Sequence, residues 1–143
     1  MAVDKGAGAG RESHPDEPHD TAIVIRGGES RDPDGLRTKV MDAIEDGDGA
    51  VVSVFCTALE PGETTEDAIE RLARAVNLPH GKISTSTAGR IRGRGLPLTR
   101  DASDDQGEFH YHVTFPEPVT FASCEGFLGT FGDPEPNPAK GVQ

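Results

Sequence analysis

Three segments of the sequence decide the fold: residues 64–77, TTEDAIERLARAVN; residues 78–100, LPHGKISTSTAGRIRGRGLPLTR; and residues 109–115, FHYHVTF. The first segment is the strongest helix of the chain, because its apolar residues, Leu72 among them, recur every three or four positions on one face. Thr64 supplies an N-terminal cap for this helix. The third segment alternates apolar and polar residues, as a half-buried strand does. The stretch therefore predicts a helix packed on a sheet.

The residues before this stretch add two strands and a helix. The runs 21–28, TAIVIRGG, and 50–58, AVVSVFCTA, are rich in β-branched residues and predict strands, the second one central. Between them, residues 35–46 carry an apolar residue at every fourth position, which predicts a helix. After the stretch, 118–123, PVTFAS, predicts a short edge strand. We expect these side chains in the core: Val52, Val54, Leu72 and Val113.

The chain of 143 residues has the length of one domain. Residues 1–20 and 132–143 are rich in Gly, Pro and charged groups and predict a disordered acidic tail and a Pro-rich C-terminal tail. Residues 21–131 then form a single small α+β domain, with a mixed sheet of four to five strands and two main helices. No apolar run is long enough for a membrane helix or a signal peptide, which predicts a cytoplasmic protein without a membrane partner.

The charge of the chain is unevenly distributed. The net charge is −11, yet residues 71–100 contain seven of the 14 Lys and Arg and no acidic residue. Guanidinium groups near glycines suit phosphate, so this segment predicts a surface for an anionic partner, with nucleic acid first. The alternative is a solvated surface whose arginines pair with the many carboxylates. The predicted nucleic-acid-binding residues are His80, Lys82, Arg90, Arg92, Arg94 and Arg100.

The structure of residues 82–87, KISTST, decides between two interpretations of that segment. Their period-two pattern of β-branched residues predicts a strand. The larger frame, 64–115, resembles the helix-turn-helix region of winged-helix proteins, which implies a recognition helix here, a β-hairpin wing after it and a DNA partner. The positions that carry this resemblance are Leu72-Ala73, Leu78-Pro79, Ser84 to Thr87, Arg90, Arg92 and Arg94-Gly95-Leu96.

If residues 82–87 are a strand, the chain is also similar to the R-S-E class of ADP-ribosyltransferases. That family surrounds NAD with an Arg on its first strand, a Ser-Thr-Ser motif on a later strand and a downstream Glu. The resemblance implies NAD as the cofactor, Arg26 on its pyrophosphate, Ser84 and Ser86 near the ribose, and Glu125 facing the developing positive charge. In this sequence Ser123 and Cys124 stand where the family has an acidic residue.

The histidines and cysteines do not predict a metal site. His14 and His19 lie with acidic residues in the N-terminal tail, which provides no fixed geometry. His110 and His112 share one face of the 109–115 strand, as metal ligands or acid/base groups could, but without a Cys, Asp or Glu assigned to complete a site they are interpreted as exposed strand histidines. The two cysteines, Cys56 and Cys124, have apolar neighbours and predict buried free thiols.

Three functions remain open from the sequence. A binding protein for nucleic acid or another polyanion comes first, without enzymatic activity and without a cofactor. An NAD-dependent transferase and a regulatory protein-interaction domain are the alternatives. Phosphate-binding loops, dinucleotide fingerprints and zinc clusters are not found in the sequence.

Overall fold

The computed structural model describes residues 17–28, 31–101 and 107–139. It confirms an α+β fold in one small domain. The six strands are β1 (Ile23–Gly27), β2 (Val51–Thr57), β3 (Lys82–Thr87), β4 (Leu98–Arg100), β5 (His110–Thr114) and β6 (Glu135–Pro136). The four helices are α1 (Pro33–Glu45), α2 (Thr65–Val76), α3 (Ala88–Arg92) and α4 (Phe121–Gly129).

All strands join one six-stranded sheet in the order β4-β5-β2-β1-β3-β6. Every neighbouring pair is antiparallel, so the predicted mixed sheet was wrong in this respect and one strand too small. Residues 82–87 are strand β3, and the helix that follows them, α3, has five residues. The segment therefore has the strand structure that its alternation predicts, at the place where the winged-helix resemblance implies a recognition helix.

Local chemistry explains the two long helices. At α1 the Asp32 side chain caps the first turn and Pro33 fits the first helical position. At α2 Thr64 and Asp67 form a reciprocal capping box, and Asn77 ends the helix in a left-handed conformation. Both helices lie within about two residues of their predicted bounds.

The predicted edge strand at 118–123 was wrong, because α4 begins there. Thr120 and Ser123 form a second capping box, which converts a β-branched run into a helix start. Cys124, Phe127 and Leu128 then lie on one buried face at three- and four-residue spacing. This helix packs beside α1, and the Arg37 guanidinium of α1 donates to the Val119 carbonyl just before α4.

The sheet has a separate apolar core on each face. On one face α1, α3 and α4 cover alternate residues of the central strands, including Val24, Val54 and Val113. On the other face of the described sheet, α2 packs Leu72 and its neighbours against β1, β2 and β3. The predicted burial of Val52, Val54, Leu72 and Val113 is confirmed, and Cys56 and Cys124 are buried free thiols.

Both predicted tails lie partly outside the described residues, at 1–16 and 140–143. The prediction of a tail from residue 132 does not hold for 132–139, because Glu135–Pro136 pairs with β3 and Asn137 is fully buried. At the other end, Asp20 contacts α3 through its carbonyl and its carboxylate. Within the described ranges, no helix has the length and apolar character that crossing a bilayer requires.

Candidate functional site

In the described part of the chain, helices cover only part of one sheet face. α2 packs over β1, β3 and the end of β2, whereas the start of β2, together with β5 and β4, carries exposed or partly exposed polar side chains on this face, such as Ser53, Thr99 and His112. A groove of about 740 Å³ follows this face to the end of the sheet where β2 begins. Its volume is in the range of small-molecule sites, which enclose roughly 300–1,000 Å³.

The β4–β5 hairpin places three polar groups together in this groove. Arg100 is level with Tyr111, so Asp101 and His110 are also level, and Asp101 lies on the same face as Thr99, His110 and His112. Asp101 Oδ2 lies 2.8 Å from His110 Nδ1 and 3.8 Å from His112 Nε2. We refer to Asp101, His110 and His112 as the groove cluster.

The cluster is partly shielded from water. Side-chain exposure is 6% for His110, 15% for Asp101 and 30% for His112. The His110 ring lies 5.1 Å from that of His112, edge to face, and 5.6 Å from Phe55. Since an ionised carboxylate only accepts hydrogen bonds, the short contact to Asp101 places a proton on His110 Nδ1 when no ion is present. The pair holds the imidazole in one orientation.

The interpretation of His110 and His112 as exposed strand histidines was therefore wrong for His110. Asp101 is nine positions from His110 in the sequence, and pairing of β4 with β5 brings the two side chains together. A signal was present in the sequence, since Thr99 and Asp101 continue the alternation of a strand that pairs with FHYHVTF.

The far end of the groove is lined by Gly27, His80 and Lys39. The His80 ring rests on Gly27 so closely that a β-carbon at residue 27 would overlap its Nδ1 and lie 2.7 Å from its Cγ. His80 is thus a groove residue, and it is separated from most of the other residues predicted to bind nucleic acid.

Those predicted nucleic-acid-binding residues do not form one surface. His80 and Lys82 lie before and at the start of β3, while Arg90, Arg92 and Arg94 follow its end, about 17 Å away at 3.3–3.4 Å per residue. Arg100 is on β4, four strand spacings from β3, or about 19 Å.

Several arginines of the basic segment pair with carboxylates, as the alternative interpretation expects. Arg71 binds Glu63 at 2.7 Å, Arg74 binds Glu70 at 2.9 Å, and Arg92 binds Asp20 at 3.1 Å. Arg90 and Arg94 are exposed, and neither has an ion pair within the described part of the chain. Intramolecular pairing therefore accounts for part of the positive charge and leaves these two guanidinium groups for other partners.

The residues of the transferase resemblance are only partly brought together. Arg26 and Ser84 are direct cross-strand partners, and Ser86 follows on the same face. However, the Arg26 guanidinium lies 5.8 Å and 5.9 Å from the centres of the Phe127 and Phe131 rings. Burial, followed by the charge of Arg31, lowers its pKa. Glu125 is on the exposed side of α4, opposite the buried face of that helix.

The two thiols are poor candidates for nucleophiles. Burial raises the pKa of Cys56 to about 12, although the charge of Arg92 acts in the opposite direction. Burial also raises the pKa of Cys124. Because the thiolate is the reactive form, both side chains are structural at neutral pH.

No family model, curated protein or solved structure matches this chain.

Proposed function

We propose that this domain binds a divalent transition-metal ion at the groove cluster and presents it to a small molecule in the groove. One observation carries the proposal. The possible ligand atoms of Asp101, His110 and His112 all lie within 4.8 Å of one another, on the floor of an open groove.

The donor set suits a transition metal. Two imidazoles and one carboxylate are ligands for Zn²⁺, Fe²⁺, Co²⁺ and Ni²⁺. Three protein ligands leave at least one coordination position for water or substrate, as in catalytic rather than structural zinc sites. His112 is the most exposed of the three side chains, so an additional ligand would approach from the groove side.

The adjustment that a metal requires is small. Metal–ligand bonds of about 2.0–2.2 Å place tetrahedral ligand atoms roughly 3.4 Å apart. The 2.8 Å contact between Asp101 and His110 has to open, and the 3.8 Å distance from Asp101 to His112 has to shorten. Both changes are about half an ångström. The two histidine ligand atoms lie within 4.8 Å of each other and have to close by up to about 1.4 Å, a movement that side-chain rotation of the partly exposed His112 provides.

A bound ion would give the groove a chemical activity. Held by Asp101, His110 and His112, it would supply Lewis-acid chemistry of the kind that supports hydrolysis or addition to a carbonyl group. Ser53 is the cross-strand neighbour of His112 and lines the groove beside the groove cluster. A hydroxyl at this position is suited to orient a molecule bound in the groove.

The proposal is tested by metal titration. We expect the purified chain to bind one equivalent of Zn²⁺ by calorimetry and to give visible Co²⁺ absorption bands. Asp101→Asn and His112→Gln should each weaken zinc binding by about tenfold or more, because each removes one ligand. His19→Gln removes an exposed histidine outside the groove and should bind like the parent. Circular dichroism verifies the fold of each variant.

Two results would refute the proposal. One is a parent protein with no zinc affinity at millimolar concentration. The other is an Asp101→Asn protein that binds zinc as tightly as the parent, since the carboxylate would then not be a ligand.

Nucleic-acid binding is the second candidate, now centred on the region after β3. The observation that favours it is the exposure of Arg90 and Arg94 without ion pairs in the described ranges. Two free guanidinium groups support weak, salt-dependent contact with phosphates.

A further inference from the structure

His80 has a fixed position at the end of the groove opposite the groove cluster. Its ring is seated on Gly27, where any side chain would displace it. Gly27 lies in strand β1 and its φ is not positive, so glycine is needed here for space rather than for backbone conformation. The absence of a side chain at Gly27 thus provides the space that the His80 imidazole occupies.

The buried side-chain amide of Asn137 binds the backbone of His80 by hydrogen bonding. Asn137 Nδ2 donates to the His80 carbonyl at 2.8 Å and to the Leu78 carbonyl at 3.1 Å. The Asn137 backbone N–H donates to the Gly81 carbonyl at 2.9 Å. Three hydrogen bonds from one residue therefore fix the turn that carries an exposed histidine, which is characteristic of a positioned binding group.

The sheet register gives the distance between His80 and the groove cluster. The β1–β2 pairs end at Ile25 and Phe55, and extending their register by two residues makes Gly27 level with Ser53, which is paired with His112. Gly27, on which the His80 ring rests, and His112 are therefore two strand spacings apart, about 10 Å at 4.7–4.9 Å each. The floor between them is a glycine and a serine, which leaves room for a ligand.

Two groups here can bind an anion, the His80 imidazole and the Lys39 ammonium. Lys39 lines the groove together with one carboxylate, Asp48, whereas the Arg26 guanidinium lies over the Phe127 and Phe131 rings. Lys39 has no ion-pair partner in the described part of the chain. Imidazole N–H and ammonium groups are donors for carboxylate or phosphate oxygens. In a chain of net charge −11, an ammonium group without an ion pair in the described ranges and an exposed imidazole are the anion-binding groups of this groove.

We infer that His80 and Lys39 form an anion subsite, and that the molecule presented to the metal is a small organic anion about 10 Å long. Its acidic group, a carboxylate or a phosphate monoester, lies at His80 and its other end reaches the groove cluster. This inference rests on the proposed metal function for the identity of the second end, but the subsite can be measured by itself.

The test is a titration of the full chain, metal-free and zinc-loaded, with methyl phosphate and in parallel with acetate. We expect saturable binding with shifts of the His80 ring signals in NMR spectra, and the tighter probe identifies the acidic group. His80→Ala should raise Kd about tenfold or more, since a hydrogen bond to a charged group contributes about 1.5–3 kcal/mol. Gly27→Ala should have a similar effect by displacing the ring.

Matched controls separate the subsite from general effects. His19→Ala removes an exposed histidine elsewhere, and Gly129→Ala adds a methyl group at a helical position with nothing within 4 Å. Both should bind anions like the parent, and the His80 and Gly27 variants should retain the zinc affinity of the parent.

Each outcome bears on one proposal. Anion binding that is absent, or unchanged in both His80→Ala and Gly27→Ala, overturns the subsite even if zinc binds. A parent that fails to bind zinc but binds methyl phosphate or acetate through His80 overturns the metal function and supports the subsite.

Discussion

The Arg71–Glu63 ion pair should contribute measurably to stability, unlike most ion pairs near a protein surface. Arg71 Nε lies 2.7 Å from Glu63 Oε2, and Nη2 lies 2.8 Å from Oε1, so the pair is bidentate. The same guanidinium donates to the Thr57 hydroxyl at 3.1 Å and to the Ala58 carbonyl at 2.9 Å. One side chain therefore ties α2 to the end of β2.

The size of the effect follows from partial burial. The side chains of Arg71 and Glu63 are 28% and 12% exposed. An exposed pair contributes less than about 1 kcal/mol, whereas breaking a fully buried pair costs about 3–5 kcal/mol. We expect Glu63→Gln to lower the free energy of unfolding by about 1–2 kcal/mol, or Tm by about 3–8 °C. The control is Glu70→Gln in the exposed Arg74 pair, which should cost less than about 0.5 kcal/mol.

The assay is urea denaturation of parent and variant at several pH values. Hydrogen bonds from Arg71, then from the Glu60 amide, lower the pKa of Glu63 from 4.5 to about 2. The stabilisation is therefore complete above pH 4.5 and is lost as the pH falls towards 2. The difference between parent and Glu63→Gln should be constant from pH 7 to 5 and smaller at pH 3. A difference near zero at pH 7, or one independent of pH, would refute this account.

Three further predictions concern other parts of the molecule. Leu72→Ala should lower the free energy of unfolding by about 2–5 kcal/mol, because this α2 side chain is fully buried against the sheet, and a loss below 1 kcal/mol in urea would contradict this packing. Asn137→Ala should cost about 1–3 kcal/mol and speed hydrogen exchange around His80, and unchanged exchange would show that the turn is held otherwise. Glu substitutions at both Arg90 and Arg94 should abolish any low-salt affinity for DNA or RNA in fluorescence titrations, and binding equal to the parent would exclude these residues.

Much of the fold follows from local patterns in the sequence. The helix at 65–76 has both a capping box and an apolar stripe, and the strand at 82–87 has strict alternation. Helix α4 was missed because Val119, Thr120 and Phe121 have high β propensity. Its capping box uses serine at the third position instead of the usual Glu or Gln, so the start signal was hidden.

The candidate site was much less accessible from sequence. Asp101 joins His110 only through hairpin pairing, and His80 joins the groove only because Gly27 of a distant strand leaves space for its ring. Asn137 was assigned to a tail because Pro and Gly surround it, and composition does not reveal a single buried amide. Such contacts depend on tertiary structure. The count of basic residues in 71–100 predicted one continuous basic surface, but strand β3 separates its two ends.

Because helices cover only part of the described sheet, residues that line the groove can be substituted without changing the core. On β2 and β5, Val54 and Val113 face the core that lies under α1 and α4, while Ser53 and His112 of the same strands face the groove. Because side chains alternate along a strand, one residue packs in the core and the next lines the groove. A library randomised at groove positions such as Val51 and Ser53 would alter what the groove accepts while the folding core stays intact. The scaffold is suited to acquire new ligands by substitution of single residues.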